Sequence, residues 1–347
     1  MSRYRKPALR EFQPYVPGVQ PADGESWVKL NTNESPFPPS DRVVPALTTA
    51  AERLNLYPDP GQTELRAALS QLYDVASEQV VGGNGADEVL AMSVRAYVPR
   101  GGRAAYLEPG YTLVPKLCAI NEVEGQEHAY TDGYRLPESF IESDAELKFV
   151  VNPNSPTGTL LPLEDIADLC RRSKGVVLLD EAYVDFSSRS GLEILDGHPN
   201  LLLVRSFSKS YALAGLRVGF AIGSPDLVAD LWAVKDICNL GRPSLAAATA
   251  ALADRDYWRR CVDEVVGNRE RLSGELGRRH WEVLPSGANF IFAVPPVPAA
   301  DLHQSLLDRG ILVRYFDRPS VRHGLRISIG TWEQCQALLS ALDQIEV

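Results

Sequence analysis

Short apolar runs alternate with segments of helical periodicity through the middle of the chain. The apolar runs predict strands at residues 102–107, 148–152, 175–180, 200–205 and 218–222. Apolar positions at helical spacing predict helices at residues 43–54, 63–73, 87–97, 162–173 and 226–234. Several of these strands are apolar on both faces and separated by helices, which indicates a mostly parallel sheet covered on both sides. We therefore predict a large α/β domain.

A second unit follows near residue 242. An alanine-rich stretch at 244–279 predicts one or two helices, and further helices are expected at 299–308 and 332–345. Strands are expected at 281–284, 288–294, 311–315 and 325–329. The first forty residues are rich in proline, which predicts an extended arm with little regular structure. The predicted division is a large domain at 30–241, an N-terminal arm at 1–29 and a smaller α+β domain at 242–347.

Composition narrows the class of protein. The 347 residues are 45% hydrophobic and 23% charged, which is typical of globular proteins and excludes a disordered or fibrous chain. The net charge of −10 argues against a general affinity for nucleic acid or anionic lipid. The longest apolar runs are too short to span a bilayer, and the basic first twelve residues lack the apolar segment of a signal peptide.

Cysteine and histidine spacing indicates neither disulfides nor a metal. Five scattered cysteines form no CxxC pair and are typical of reduced thiols in a cytoplasmic protein. The five histidines show no HxH or HExxH spacing, so we expect no metal centre. Because the net charge is negative, an anionic ligand would depend on a local cluster of arginines.

Two candidate chemical groups follow predicted strands, where open α/β sheets place their ligands. Asp180 ends an apolar strand, with Tyr183 three residues later. It could cap a turn, but a buried carboxylate is costly without a cation, and a protonated heterocyclic nitrogen would suit it. Lys209 follows the next strand among hydroxyl residues, with Arg217 eight residues further on. A lysine there could be merely exposed, but its position beside serines and ahead of an arginine suits a Schiff-base lysine beside a bound phosphate ester.

Two glycine-containing turns are further candidate parts of the ligand site. The segment Gly82–Gly85 enters a helix but lacks the third glycine of a dinucleotide fingerprint, which disfavours an NAD-binding oxidoreductase. The helix N-terminus can still offer backbone N–H groups to one phosphate. The turn from Asn152 to Gly158 follows a strand and consists of ordinary turn-forming residues.

Together these residues resemble a fold-type I pyridoxal-phosphate enzyme, specifically of the histidinol-phosphate aminotransferase family. The resemblance spans nearly the whole chain and rests on Pro14-Tyr-Val-Pro-Gly18, Lys29-Leu-Asn-Thr-Asn-Glu-Ser-Pro36, Tyr57-Pro-Asp-Pro60, Gly85-Ala-Asp-Glu88, Asn154-Ser-Pro-Thr-Gly158, Asp180-Glu-Ala-Tyr183, Ser206-Phe-Ser-Lys209 and Gly324-Leu-Arg-Ile327. The block from Lys209 to Arg217 is specific for the cofactor, and the amino-terminal motifs are specific for the subgroup.

The resemblance implies roles for individual residues. Lys209 would form the Schiff base, Asp180 would pair with the pyridinium nitrogen, and Tyr183 would hydrogen-bond the phenolic oxygen on the ring. Tyr111 would stack on the ring. The residues implied around the cofactor phosphate are Gly85, Ala86, Asp87, Ser206, Ser208, Arg217 and, from the other subunit of a homodimer, Tyr57. One departure concerns the family's asparagine before Pro-Thr-Gly, because Ser155 stands there and Asn154 one place earlier; either residue could contact the ring oxygen.

The resemblance also implies the substrate site. Arg326 alternates with apolar residues on a predicted strand; it could be merely exposed, but the family's matching arginine holds a substrate carboxylate. Arg314, with Tyr15, would hold a substrate phosphate, and Asn33 would line the pocket. Arginine suits both anions because its planar fork matches carboxylate and phosphate oxygens.

The implied activity is transfer of the amino group of L-histidinol phosphate to 2-oxoglutarate by a dimeric enzyme in histidine biosynthesis. Relatives that look alike leave two other enzymes open, an aromatic amino-acid aminotransferase and a decarboxylase of threonine phosphate. A ligand-sensing regulator with this domain would need an appended DNA-binding module. The first forty residues are too short and too rich in proline to provide one.

Overall fold

The structure is a computed structural model that describes residues 4, 18–21 and 27–345. Most of the predicted arm, including Tyr15, lies outside the described residues. The strands are β1 (Val28–Lys29), β2 (Val80–Asn84), β3 (Arg103–Glu108), β4 (Glu124–Ala129), β5 (Leu147–Val151), β6 (Val176–Asp180), β7 (Leu201–Ser206), β8 (Val218–Ile222), β9 (Glu282–Val283), β10 (Phe290–Val294), β11 (Ile311–Leu312), β12 (Arg314–Tyr315) and β13 (Leu325–Ser328).

Helices alternate with these strands and cover both faces of the larger sheet. They are α1 (Val43–Ala51), α2 (Thr63–Tyr73), α3 (Ala86–Tyr97), α4 (Val114–Ile120), α5 (Glu138–Ile141), α6 (Leu163–Arg172), α7 (Pro225–Val234), α8 (Arg242–Leu252), α9 (Arg255–Arg278), α10 (Ala299–Leu307) and α11 (Trp332–Gln344). In the described part of the chain, no helix is long and apolar enough to cross a membrane.

The larger sheet has seven strands in the order β2-β8-β7-β6-β5-β3-β4. All neighbours pair in parallel except β8, which runs antiparallel to both β2 and β7. The mostly parallel sheet predicted from the apolar runs is therefore confirmed. The central strands β5 to β8 are buried along their whole length, as expected for strands between two helical layers.

Two of the seven strands were not predicted. Strand β4 lies at the sheet edge and reads Glu-Gly-Gln-Glu-His-Ala, so its half-exposed residues carry no apolar run. Strand β2 ends in Gly82-Gly83-Asn84, a sequence that signals a turn more strongly than a strand. Both strands are held by their partners in the sheet rather than by local propensity.

The smaller unit consists of an antiparallel sheet, β12-β13-β10-β9, packed on α9 and α11, with the parallel pair β1 and β11 beside it. The predicted stretch 244–279 forms two helices, α8 and α9. Helix α8 buries Ala247, Ala248 and Ala251 in the same core as Leu65 and Leu69 of α2. We therefore propose that the smaller unit begins after α8 rather than at residue 242.

Strand β8 begins beside the start of α3, and this close approach depends on a glycine. Gly219 pairs with Gly83 of β2, and a Cβ on Gly219 would lie 2.3 Å from the backbone nitrogen of Ala86. That distance is far below van der Waals contact, so a side chain there would displace the N-terminus of α3. A Cβ on Gly215, four residues earlier, would meet nothing within 4 Å.

We expect Gly219→Ala to lower the free energy of unfolding by about 1–3 kcal/mol, because the backbone has to move to admit the methyl group. Gly215→Ala is the matched control and should change the free energy of unfolding by less than about 1 kcal/mol. Urea unfolding of both variants measures the difference. Equal stability of the two variants would contradict the close approach of β8 to α3.

Candidate active site

A cavity of about 300 Å³ lies at the carboxyl ends of β6 and β7, opposite the N-terminus of α3. A smaller hollow of about 120 Å³ adjoins it and reaches toward β12 and β13. The residues that line both spaces are Thr32, Tyr111, Ser155, Tyr183 and Lys209. The sheet topology thus brings residues that are distant in sequence to one edge, as expected for an open α/β sheet.

Asp180 is the last residue of β6, lines the larger cavity and is only 5% exposed. Burial raises the pKa of its carboxyl group to about 7, and the negative charges of Asp87 and Glu181 act in the same direction. The backbone N–H of Ala182, which donates to Oδ1 at 3.0 Å, and the ammonium of Lys209 oppose this rise in the pKa. A cation bound against Asp180 would stabilise its ionised form.

Lys209 lies in the loop after β7, and its Nζ faces the same cavity. Its Nζ donates to the carbonyl of Thr32 at 3.4 Å and lies 5.6 Å from the ring centre of Tyr183. The hydroxyl of Tyr183 accepts a hydrogen bond from Asn33 Nδ2 at 3.2 Å. Because this hydroxyl accepts from Asn33, its proton can be donated to a group in the cavity.

Asn33 is fixed by an unusual backbone conformation. Its φ of 55° lies in the left-handed region, and Ser328 of β13 contacts both its backbone N–H and its Oδ1 at 2.8 Å. Asn33 lines the smaller hollow. The segment after β1 therefore forms one wall of the site and is tied to the smaller sheet.

The far end of the cavity is built to hold an anion. Ala86 and Asp87 are the first residues of α3, so their backbone N–H groups have no partner within the helix. Arg217 bonds to Ser208 Oγ at 3.3 Å and to Asp87 Oδ2 at 3.0 Å. Gly85, with φ of 78°, makes room for Arg217, because a Cβ there would lie 2.5 Å from its guanidinium. Ser206 completes this end of the cavity.

Tyr111 closes the cavity from the loop after β3. Its hydroxyl donates to Asp87 Oδ1 at 3.0 Å, which fixes the ring at the cavity wall. Sequence reasoning assigned no role to Thr32 or Glu34, which also line this space. Glu34 lies within the amino-terminal family motif at 29–36, and its carboxylate bonds to Lys29 and to Thr32. The motif located this wall, but its spacing did not indicate which side chains face inward.

The side chains of Asn154 and Ser155 point in different directions. Ser155 lines both cavities, whereas the side-chain amide of Asn154 turns away and donates to the Pro109 carbonyl at 3.0 Å and to Thr157 at 2.8 Å. Of the two, Ser155 is thus the one that faces the candidate ligand.

The smaller hollow contains the two arginines expected to bind substrate. Arg314 and Arg326 lie directly opposite each other on β12 and β13 and both line it. Arg326 donates to the carbonyl of Asn31 at 2.8 Å and to Ser155 Oγ at 3.3 Å. Phe316, which was not predicted, lies beside both arginines.

Two predicted residues lie apart from the cavities. Tyr15 is outside the described residues. Tyr57 is 88% exposed and lines neither cavity of its own chain. A search of the described residues finds no group of three or more histidine, cysteine, aspartate or glutamate side chains that could hold a metal ion. All five cysteines are free thiols.

Comparison with known proteins assigns the chain to a family. The model of the family "Aminotransferase class I and II" matches residues 25–342. The chain belongs to this family. It is 42% identical to a histidinol-phosphate aminotransferase of Chromohalobacter salexigens over 99% of each chain. It is 41% identical to histidinol-phosphate aminotransferase 1 of Bradyrhizobium diazoefficiens over 99% of this chain and all of the relative.

A solved structure of an aminotransferase supports the same conclusion. The histidinol-phosphate aminotransferase of Sinorhizobium meliloti, solved in complex with pyridoxal-5'-phosphate, superposes with a TM-score of 0.89 at 26% identity. The match covers 99% of this chain and 98% of that chain. The resemblance and the fold-type I architecture predicted from the sequence are therefore confirmed, and the chain is a transaminase by family.

The buried carboxyl of this aminotransferase makes the stability of the cofactor-free protein depend on pH. The pKa of Asp180 is about 7 in the folded chain and about 4 in an unfolded one. Below pH 4 the carboxyl is protonated in both states, so its burial costs least there. The cost rises as the pH increases and is complete once the pH exceeds 7.

We expect Asp180→Asn to remove this cost while keeping the hydrogen bond from Ala182. In the cofactor-free protein, the free energy of unfolding of the variant relative to wild type should increase by ~2.6 kcal/mol from pH 5 to pH 8. Urea unfolding at both pH values measures this. A difference between variant and wild type that does not change with pH would show that Asp180 does not titrate in this range.

Proposed function

We propose that the chain is a pyridoxal-5'-phosphate-dependent aminotransferase that transfers the amino group of L-histidinol phosphate to 2-oxoglutarate in histidine biosynthesis. The observation that carries this proposal is one continuous site in which Lys209 and Asp180 face a cavity beside two arginines. The family and the named activities of relatives at about 40% identity support it.

The residues of the larger cavity fit this cofactor. Asp180 is a buried carboxyl group that a cationic ring nitrogen would stabilise, and Lys209 offers an amine in the same space. At the opposite end, the space left by Gly85 admits Arg217 beside the start of α3, an arrangement suited to a phosphate. Tyr111 supplies an aromatic wall between the two ends.

Each of these residues has a distinct task. Asp180 holds the proton on the ring nitrogen, because its own carboxylate is stabilised by that positive charge. Tyr183 and Ser155 bind the ring oxygen through their hydroxyl groups. The chemistry that pyridoxal phosphate would supply when bound is an electron sink for the electron pair left at the substrate Cα. Lys209 Nζ would hold the cofactor covalently, and as a free amine it would move the proton from the substrate Cα.

The two arginines define the substrates. Arg326 binds the carboxylate of glutamate or 2-oxoglutarate, and Arg314, with Tyr15, binds the phosphate of histidinol phosphate. Both assignments agree with the chemistry of guanidinium groups, which donate paired hydrogen bonds to either anion. Asn33 contributes to the wall of the same hollow.

We further propose that the enzyme is a cytoplasmic homodimer. The exposed ring of Tyr57 supports the dimer, because it lies outside its own cavities and is free to reach the cofactor phosphate of a second subunit. The five free thiols support a reducing compartment. Neither nucleic acid nor a membrane is a partner in this proposal.

Lys209→Ala tests the reaction itself. We expect a folded protein whose rate of transamination falls by several orders of magnitude, because neither covalent attachment of the cofactor nor proton transfer is possible. Borohydride should fix the cofactor to the wild type and to the control Lys235→Ala, but not to Lys209→Ala. Near-normal turnover by Lys209→Ala would refute the proposed function.

The substrate assignment predicts that the two half-reactions respond differently to mutation. Arg314→Ala should lower kcat/KM for histidinol phosphate about ten- to hundredfold and affect glutamate much less, because one charge-assisted contact is lost. Arg326→Ala should lower kcat/KM for glutamate at least as strongly. Single-turnover absorbance changes with each amino donor measure both effects. Efficient use of phenylalanine, with Arg314→Ala affecting neither donor, would instead support an aromatic aminotransferase.

The shared site predicts complementation between two inactive variants. In a hybrid of one Lys209→Ala chain and one Tyr57→Ala chain, both defects fall in the same site, because each site combines Lys209 of one subunit with Tyr57 of the other. The second site of the hybrid is therefore intact. Equal mixing with subunit exchange should give about one quarter of the wild-type rate at limiting cofactor, since half of the dimers are hybrids. Exchange is verified by native mass spectrometry of differently tagged chains, and verified hybrids without activity would contradict the shared site.

A further inference from the structure

A loop of the smaller unit crosses from the substrate hollow to the larger sheet. This loop, residues 316–321, which we term the strap, follows β12 directly. Phe316 at its start lines the hollow, and Val321 at its end is buried. Between them, Arg318 and Ser320 bond to Glu108, the last residue of β3.

Glu108 is held at both carboxylate oxygens. Arg318 Nη2 lies 2.8 Å from Oε2, and Ser320 Oγ donates to Oε1 at 2.6 Å. The side chains of Glu108 and Arg318 are 14% and 33% exposed, so water screens this ion pair less than a fully exposed one. Glu127 of β4 adds a second, weaker contact to Arg318 at 3.9 Å. The strap is therefore tied to the loop that carries Tyr111.

Phe316 lies beside both arginines of the hollow. Its ring centre is 5.1 Å from Arg314 Cζ and 5.3 Å from Arg326 Cζ. These arginines lie opposite each other in adjacent strands, where like charges repel. The negative face of an aromatic ring attracts guanidinium groups at such distances. The ring thus offsets part of the repulsion and contributes to the placement of both guanidinium groups, of which Arg326 is also held by Asn31 and Ser155.

We propose that Glu108 and Phe316 are positioning residues for substrate binding. Glu108, through Arg318 and Ser320, holds the strap, and the strap holds Phe316 where its ring sets the separation of Arg314 and Arg326. This inference rests on the proposed function, in which those arginines bind the substrate anions. Neither Glu108 nor Phe316 contacts the reacting atoms, so their loss weakens binding of both substrates and leaves the chemical step unchanged.

The contact between Glu108 and Arg318 is tested by Glu108→Gln, Arg318→Met and the double variant of the holoenzyme. Each should raise KM for histidinol phosphate and for 2-oxoglutarate about three- to tenfold, with kcat and the cofactor absorbance spectrum within about twofold of wild type. The double variant should be no worse than the worse single variant, because both remove one interaction. Asp343→Asn, which breaks the Arg279 ion pair between α9 and α11, is the control and should leave KM unchanged.

Phe316→Leu tests the ring while keeping an apolar side chain of similar size. We expect KM for both substrates, and the dissociation constant of the unreactive dicarboxylate glutarate, to rise about three- to tenfold. Glutarate binding is measured by calorimetry on the holoenzyme, so it does not depend on turnover. A wild type that binds glutarate but does not use histidinol phosphate would refute the proposed substrate. The role of the strap would then be decided by glutarate affinity alone.

Three results would overturn the positioning role. The first is unchanged KM and unchanged glutarate affinity in both Glu108→Gln and Phe316→Leu. The second is a fall in kcat with unchanged KM, which would place the residues in the chemical step. The third is additive effects of Glu108→Gln and Arg318→Met, which would show that the two side chains act separately.

Discussion

The carboxyl group of Asp180 is buried at the end of a central strand, and the rest of the site depends on how that burial is compensated. A carboxylate removed from water is costly unless a cation or several donors meet it. One backbone donor is in place, and neighbouring acids raise the pKa of Asp180 further. The protein thus carries a group that is poorly stabilised on its own and well suited to a cationic ring nitrogen.

The sheet places the complementary groups around this carboxyl group. Parallel strands β6 and β7 end at one edge, which brings Asp180 and Lys209 into one cavity. Glu181, directly after β6, and Arg205 of β7 form a buried ion pair at 2.8 Å beside this edge. The reversed strand β8 then starts at this edge, so Arg217 just before it meets the N-terminus of α3. The end of the cavity suited to the cofactor ring and the end suited to its phosphate therefore both depend on the edge where β6 and β7 end and β8 begins.

Much of this could be predicted from the sequence where local pattern and burial agree. The strands buried on both faces are apolar runs in the sequence. Asp180 stood out because it ends one such run, and Lys209 because it follows the next one closely. Edge strand β4 could not be predicted, because half-exposed positions tolerate polar residues. The orientation of Asn154 away from the cavity depends on a hydrogen bond to Pro109, forty-five residues away in sequence. Glu108 and Phe316 likewise act through contacts made only in the folded chain.

The most direct test of this account is the protonation state of the ring nitrogen in the holoenzyme. The enzyme is reconstituted with pyridoxal phosphate labelled with ¹⁵N in the ring, and the nitrogen chemical shift is recorded from pH 6 to pH 9. Pairing with Asp180 predicts a shift typical of a protonated ring that stays constant over this range in the wild type and is lost in Asp180→Asn. A wild-type nitrogen that loses its proton within this range, as in Asp180→Asn, would contradict the account.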